Sequence, residues 1–245
     1  MVCKKAQCVV IKVNDYGESD KLITVYCPEA GKLQVLAKGA KRSQKRFVNK
    51  LELFSRLTIQ YNDKYNLPIL TEAELDESYL QLRLHFMLYA CAALICEHIY
   101  YWTTENDGDE ELFNCLLWSL DSLSKTSHPL KPLVLFLSKL YGLLGYQPSL
   151  HGCAACQQLD PQSVPFGFRT GQGNIICKHC CKEERPAIPL SIATIKILSK
   201  AFELPVHKLS RLKLSTECSH EALNLFHHYG RYLLDRDFQS WKYLL

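Results

Sequence analysis

Two Cys-x-x-Cys pairs lie in HGCAACQQLDPQSVPFGFRTGQGNIICKHC, residues 151–180: Cys153 with Cys156, and Cys177 with Cys180. Twenty residues separate the inner members. A Cys-x-x-Cys turn presents two thiolates from one tight bend, and two such turns supply the four soft donors of a tetrahedral zinc site. The spacing is that of a structural zinc site. A set made only of cysteines leaves no open coordination position, so Zn2+ held by Cys153, Cys156, Cys177 and Cys180 is expected to be structural, contributing on the order of 10 kcal/mol to folding. Cys181 adjoins Cys180 and is an alternative fourth ligand, with His151 and His179 as further donors. A thioredoxin-like redox pair needs one Cys-x-x-Cys after a strand in a βαβ unit, a context absent from this sequence.

A second group could bind anions. KLQVLAKGAKRSQKRFVNK, residues 32–50, carries Lys32, Lys38, Lys41, Arg42, Lys45, Arg46 and Lys50 with no acidic residue, and Phe47 sits inside the run. Cations beside an aromatic ring suit a single nucleic-acid strand, whose phosphates meet Lys and Arg while its bases stack. Tyr16 and Phe47 are the stacking candidates. If all seven cations met phosphates, the salt slope of binding would approach about −5, at about −0.7 per contact. A solvated surface loop is the bland alternative.

The elements that must position these groups change character along the chain. Residues 8–15, 21–27, 33–39, 53–61 and 67–73 are β-branched, apolar or alternating and are separated by turn residues, which predicts five short antiparallel strands and favours a small barrel. In the fourth, Leu53, Leu57, Ile59 and Tyr61 share one face and Arg56, Thr58 and Gln60 the other. From Ser78 apolar residues recur at three- and four-residue steps, predicting helices over 78–96, 109–123, 132–146, 189–204 and 215–244. The cysteine segment interrupts these helices with its own hairpin, VPFGFR and NIIC joined by TGQG. The expected fold is therefore α+β: a barrel domain at 1–77, then a helical domain at 78–245 with a zinc-finger-like insert at 150–186.

Composition narrows the functional classes. The chain has 245 residues, 47% hydrophobic and 22% charged, with a formal charge of +4, which fits a globular protein. Its longest apolar run, Leu84–Cys96, is about thirteen residues, too short to span a bilayer. Twelve cysteines are many for a cytosolic protein, yet no secretory signal is visible, which argues against a disulfide framework. Cys91, Cys96 and Cys115 read as small core residues. The sequence holds no P-loop, H-E-x-x-H or G-x-S-x-G motif, so an enzyme is not expected. An RNA-binding module and a structural adaptor are the other classes weighed.

DYGESDKLITVYCPEAGKLQVLAKGAKRS, residues 15–43, together with the order barrel, helices and four-cysteine insert, resembles the bacterial RecO family of recombination mediators in its zinc-bearing form. The resemblance implies an oligonucleotide/oligosaccharide-binding (OB) barrel and a cytoplasmic DNA repair and recombination factor without catalysis. It implies binding to single- and double-stranded DNA, annealing of complementary strands, and loading of RecA recombinase onto protein-coated single strands. The implied partners are RecR and the acidic C-terminal tail of single-stranded DNA-binding protein. Lys131 and Lys139, flanking the apolar PLVLF segment, are where that tail is expected to dock.

Overall fold

The computed structural model describes residues 3–64, 66–160, 165–181 and 188–244. They form two compact units, Met1–Lys125 and Thr126–Leu245. The expected insert at 150–186 is thus described except for 161–164 and 182–186; Val164, expected to open its hairpin, lies outside the described residues.

The first unit is built on strands β1 (Cys3–Tyr16), β2 (Asp20–Cys27), β3 (Gly31–Ala37), β4 (Arg56–Asn62) and β5 (Ile69–Glu77). They close into a barrel in the order β1-β2-β3-β5-β4. The junction of β3 with β5 is parallel and rests on Leu36 opposite Ile69 and on the Leu36 N–H donating to the Pro68 carbonyl at 2.8 Å. Alternation along β4 sends Leu57, Ile59 and Tyr61 inward, where they join Cys8, Val10, Ile23, Val25, Cys27 and Val35 in one core.

Strand β1 is longer than the sequence pattern suggested, because its polar amino-terminal half pairs with β4 from Cys3 onward. Its middle is buried on both faces: Val9 and Ile11 point away from the barrel interior yet are 0% and 4% exposed. Helices α1 (Leu80–Leu84), α2 (Phe86–Trp102) and α3 (Glu110–Ser124) belong to the same unit and supply this outer packing. Tyr26 on β2 meets Phe113 on α3 with ring centroids 6.4 Å apart, and Phe54 meets Tyr89 on α2 at 5.5 Å. The first helices therefore pack with the barrel, because a strand face carrying Val9, Ile11 and Tyr26 needs an apolar cover. Glu77 ends the last barrel strand but not the compact unit.

The single helix expected from Ser78 is broken at His85, whose extended backbone (φ −119°) separates α1 from α2. The three cysteines read as core residues are buried, and burial pushes the Cys91 thiol up to about 12. Helix α3 starts on Asp109, whose carboxylate accepts the Leu112 N–H at 2.9 Å, a capping bond typically worth about 1 kcal/mol.

The second unit holds α4 (Leu130–Leu143), a small sheet of β6 (Phe166–Arg169), β7 (Asn174–Cys177) and β8 (Ile188–Leu190), then α5 (Ile192–Glu203) and α6 (Thr216–Leu234). The sheet order is β7-β6-β8. The expected hairpin is present, and β8 adds a third strand by pairing Phe166 with Leu190 and Phe168 with Ile188. Helix α6 stops at Leu234, where Asp235 adopts a left-handed conformation (φ 47°), rather than running to 244. Its core is aromatic: Tyr141 on α4 stacks on Phe226 and Tyr229 of α6 at 5.2 and 5.7 Å.

Candidate nucleic-acid interface and four-cysteine cluster

The cysteine cluster is set by local hydrogen bonds. Cys153 and Cys156 lie on a turn closed by Gln157 N–H donating to the Cys153 carbonyl at 2.8 Å and tied to β7 by Ala154 N–H donating to the Ile175 carbonyl at 2.8 Å. Cys177 ends β7, and the N–H groups of Cys180 and Cys181 both donate to its carbonyl, at 3.1 and 3.0 Å. These two knuckles bring the sulfurs of Cys153, Cys156, Cys177 and Cys180 within 4.8 Å of one another. The Cys156 and Cys177 sulfurs are 3.9 Å apart. Tetrahedral zinc at about 2.3 Å from each thiolate would place sulfurs about 3.8 Å apart, so these residues fit such an ion.

Cys180 rather than Cys181 is in the set, and Cys181 is exposed. Burial pushes the Cys153 thiol up, but the N–H groups of Cys156, Cys177 and Ala155 outweigh it and bring the thiol down to about 6. One of them, the Cys177 N–H, donates to the Cys153 sulfur at 3.4 Å. The neighbouring sulfurs, Cys177 first and then Cys156, push Cys180 up to about 12. Four cysteines that share so small a space and cannot all ionise together are a donor set suited to a metal cation.

The cationic run is more ordered than a solvated loop. After β3 the chain turns through Gly39, whose left-handed backbone (φ 67°) leads into a 3-10 turn at Ala40–Arg42. The β1–β2 hairpin tip holds this turn: Asp20 accepts the Gly39 N–H at 2.8 Å and the Ser19 hydroxyl at 2.8 Å. Those two bonds, the Gly39 N–H foremost, hold the Asp20 carboxyl below the usual carboxylate range. The Lys41 N–H donates to the Ser19 carbonyl at 3.0 Å.

Further along, Phe47 is 3% exposed and, with Leu51, belongs to the barrel core. Its ring plugs the barrel and lies under the Arg46 guanidinium at 4.3 Å. The expectation that Phe47 stacks on bases is therefore corrected: a ring used to close the apolar interior has no free face for a base.

The seven cations divide. Lys32 donates to the Tyr100 carbonyl at 2.8 Å and, with Lys12, flanks the Tyr100 ring at 4.8 and 4.3 Å. It begins β3 whereas Lys38 follows the strand's end, about 20 Å away at 3.3 Å per residue, so it is no part of the loop surface. Lys41 pairs with Asp15 at 3.0 Å and donates to the Gly17 carbonyl at 3.0 Å. Arg46 donates to the Lys38 carbonyl at 2.8 Å and Lys50 to the Ala73 carbonyl at 2.9 Å. These four hold the structure together. Lys38, Arg42 and Lys45 are exposed, and their charged groups make no hydrogen bond or ion pair among the described residues. Tyr16 is 49% exposed and stands opposite Asp20 in the hairpin register.

In the second unit, Lys139 is buried and donates to the Phe202 carbonyl at 3.0 Å, while Lys131 donates to the Ser210 carbonyl at 3.0 Å. Both ammonium groups fasten α4 to the segment at 202–210, and burial of Lys139 withdraws one of the two charges that an acidic tail was expected to find.

By fold, this is an OB-barrel protein with a helical second unit that carries a four-cysteine cluster. Comparison with known proteins narrows that class. The family description "Recombination protein O N terminal" matches residues 1–79 and "Recombination protein O C terminal" matches residues 83–242, and the chain belongs to this family. A DNA repair protein RecO from Desulfatibacillum aliphaticivorans is 31% identical over 242 residues, covering 96% of this chain and 94% of the relative. Another from Syntrophobacter fumaroxidans is 30% identical over 213 residues, covering 87% and 85%. The family is one of recombination proteins, not of enzymes. No helix among the described residues is long and apolar enough to cross a membrane.

Proposed function

We propose that this protein serves DNA repair by holding bare nucleic-acid strands on the rim of its barrel and promoting their pairing without chemical catalysis. One observation carries the reading: the hairpin tip and the loop after β3 are hydrogen-bonded into a single ledge bearing exposed Tyr16 and the uncommitted cations Lys38, Arg42 and Lys45. Charge beside an exposed ring is the combination that binds single strands without reading sequence. Three cations imply a loop contribution to the salt slope of about −2. Screening phosphate charge also lowers the repulsion between two complementary strands.

The names of the relatives support a repair role, and the family resemblance supports strand annealing and the delivery of recombinase to protein-coated single strands, with RecR, the tail of single-stranded DNA-binding protein and RecA as partners. In the second unit, structural Zn2+ on Cys153, Cys156, Cys177 and Cys180 would stabilise the sheet between α4 and α5.

The test is the rate at which complementary oligonucleotides anneal with no nucleotide present. Wild-type protein is expected to accelerate annealing, and Tyr16→Ala to weaken single-strand binding by about 1–3 kcal/mol, the worth of one stacked base. Matched RNA strands, run in parallel, decide between the polymers. No acceleration of either pair would refute the proposal.

A further inference from the structure

The net positive charge of this protein lies in its second unit. The first unit, residues 1–125, has 15 Lys and Arg against 17 Asp and Glu, a net charge of −2. The second unit, residues 126–245, has 14 against 8, a net charge of +6. Most of that surplus lies between residues 196 and 213, which contain Lys196, Lys200, Lys208, Arg211 and Lys213 against Glu203 alone.

The fold turns these cations outward. Helix α5 buries Thr194, Ile195, Leu198, Ala201 and Phe202, so Lys196 and Lys200, one helical turn apart, share the opposite face. Lys208 and Arg211 follow in a 3-10 turn, Val206–Arg211, anchored by buried Leu209. Lys196, Lys200, Arg211 and Lys213 are exposed and Lys208 is partly so. None of the five charged groups makes an ion pair or hydrogen bond among the described residues. The bonds from Lys131 to the Ser210 carbonyl and from Lys139 to the Phe202 carbonyl pin both ends of the segment to α4.

We propose that α5 and the turn after it form a second nucleic-acid contact surface, a phosphate-binding face on the second unit separate from the barrel rim. The proposal rests on the reading that the protein binds nucleic-acid strands. A phosphate backbone fits better than an acidic peptide, because no large apolar side chain is exposed among the described residues from 192 to 213. Protein partners are gripped by buried aromatic and aliphatic anchors, whereas phosphates are held by charge alone. Two cationic surfaces on one chain let it hold two strands, or two stretches of one strand, at raised effective concentration.

The experiment measures binding of a labelled single-stranded oligonucleotide to the full chain across about 50–200 mM salt. Combining Lys196→Ala, Lys200→Ala and Arg211→Ala is expected to make the salt slope shallower by about 2, at about 0.7 per lost contact, with thermal stability unchanged. Arginine at the two lysines and lysine at Arg211 should keep the wild-type slope. If the triple variant is destabilised, the single substitutions carry the test, each lowering the slope by about 0.7.

An unchanged slope and affinity overturns the inference. So does a variant that loses binding to an acidic peptide while still binding the oligonucleotide normally. A parallel variant with alanine at Lys38, Arg42 and Lys45 separates the two readings. If only that variant weakens binding, the second surface is refuted and the barrel rim stands. If only the α5 variant does, the second surface stands and the rim does not. A wild-type chain that binds no oligonucleotide at the lowest salt refutes both.

Discussion

Cys153→Ser is expected to unfold the sheet of the second unit and to abolish stoichiometric zinc binding. The four sulfurs lie within 4.8 Å of one another, and each knuckle is hydrogen-bonded to β7. Serine offers a harder, protonated donor in place of a thiolate, and a closed zinc site contributes on the order of 10 kcal/mol to folding. That is comparable with the whole stability of a typical domain, so loss of one ligand leaves little to hold β6, β7 and β8 in place. Thermal melting with and without a strong chelator reads the effect. Wild type should melt at a markedly lower temperature with chelator, whereas Cys153→Ser should melt low in both conditions. A wild-type curve indifferent to chelator, with no zinc released on denaturation, would show that the cluster is four thiols and nothing more. Cys181→Ser should behave as wild type, because that side chain is outside the set.

Phe47→Ala should damage the barrel as much as a core deletion does, although the residue sits in a run of charged side chains. Its ring is 3% exposed and packs with Leu51 among the inward residues of the strands. Removing a buried phenylalanine side chain costs about 3–5 kcal/mol, and here the cavity would open beneath the loop that carries Lys45 and Arg46. The alanine variant should therefore lose both stability and strand binding. Phe47→Leu separates the two causes. Leucine refills much of the volume without an aromatic face, so stability and oligonucleotide affinity should both largely return. If Phe47→Leu restored the melting temperature but left binding as weak as in the alanine variant, the ring would be a stacking surface after all.

Phe47 also shows where the sequence could be read and where it could not. Its position inside KRFVNK suggested exposure. The contrary sign was Leu51, four residues on, which pairs with it as an apolar plug. The outer packing of the barrel had a sign as well: CVVI at residues 8–11 is apolar on both faces, and a strand covered on one face only alternates. The cysteine cluster was legible because its chemistry is encoded in spacing, and the hydrogen bonds of the two knuckles follow from that spacing.

Other features carry no local mark. The break at His85 contains neither proline nor glycine, although Tyr79 and Leu82 on the short helix before it are buried. The division of the cationic run depends on which backbone carbonyls happen to face each ammonium group. Lys32, Lys41, Arg46 and Lys50 find such partners, while Lys38, Arg42 and Lys45 do not. No pattern of residue types distinguishes the two sets, and a count of seven contacts becomes three only when the chain is folded.

The central claim is that the barrel rim meets nucleic-acid phosphates through those three cations. The most direct measurement is the salt dependence of single-strand binding by the full chain, compared between wild type and the variant with alanine at Lys38, Arg42 and Lys45. The slope of log affinity against log salt should be shallower by about 2 in the variant, at about 0.7 per phosphate contact, with the melting temperature unchanged. Parallel lines for the two proteins, with the same affinity at every salt concentration, would show that the ledge on the barrel is a solvated surface and that strands are held elsewhere.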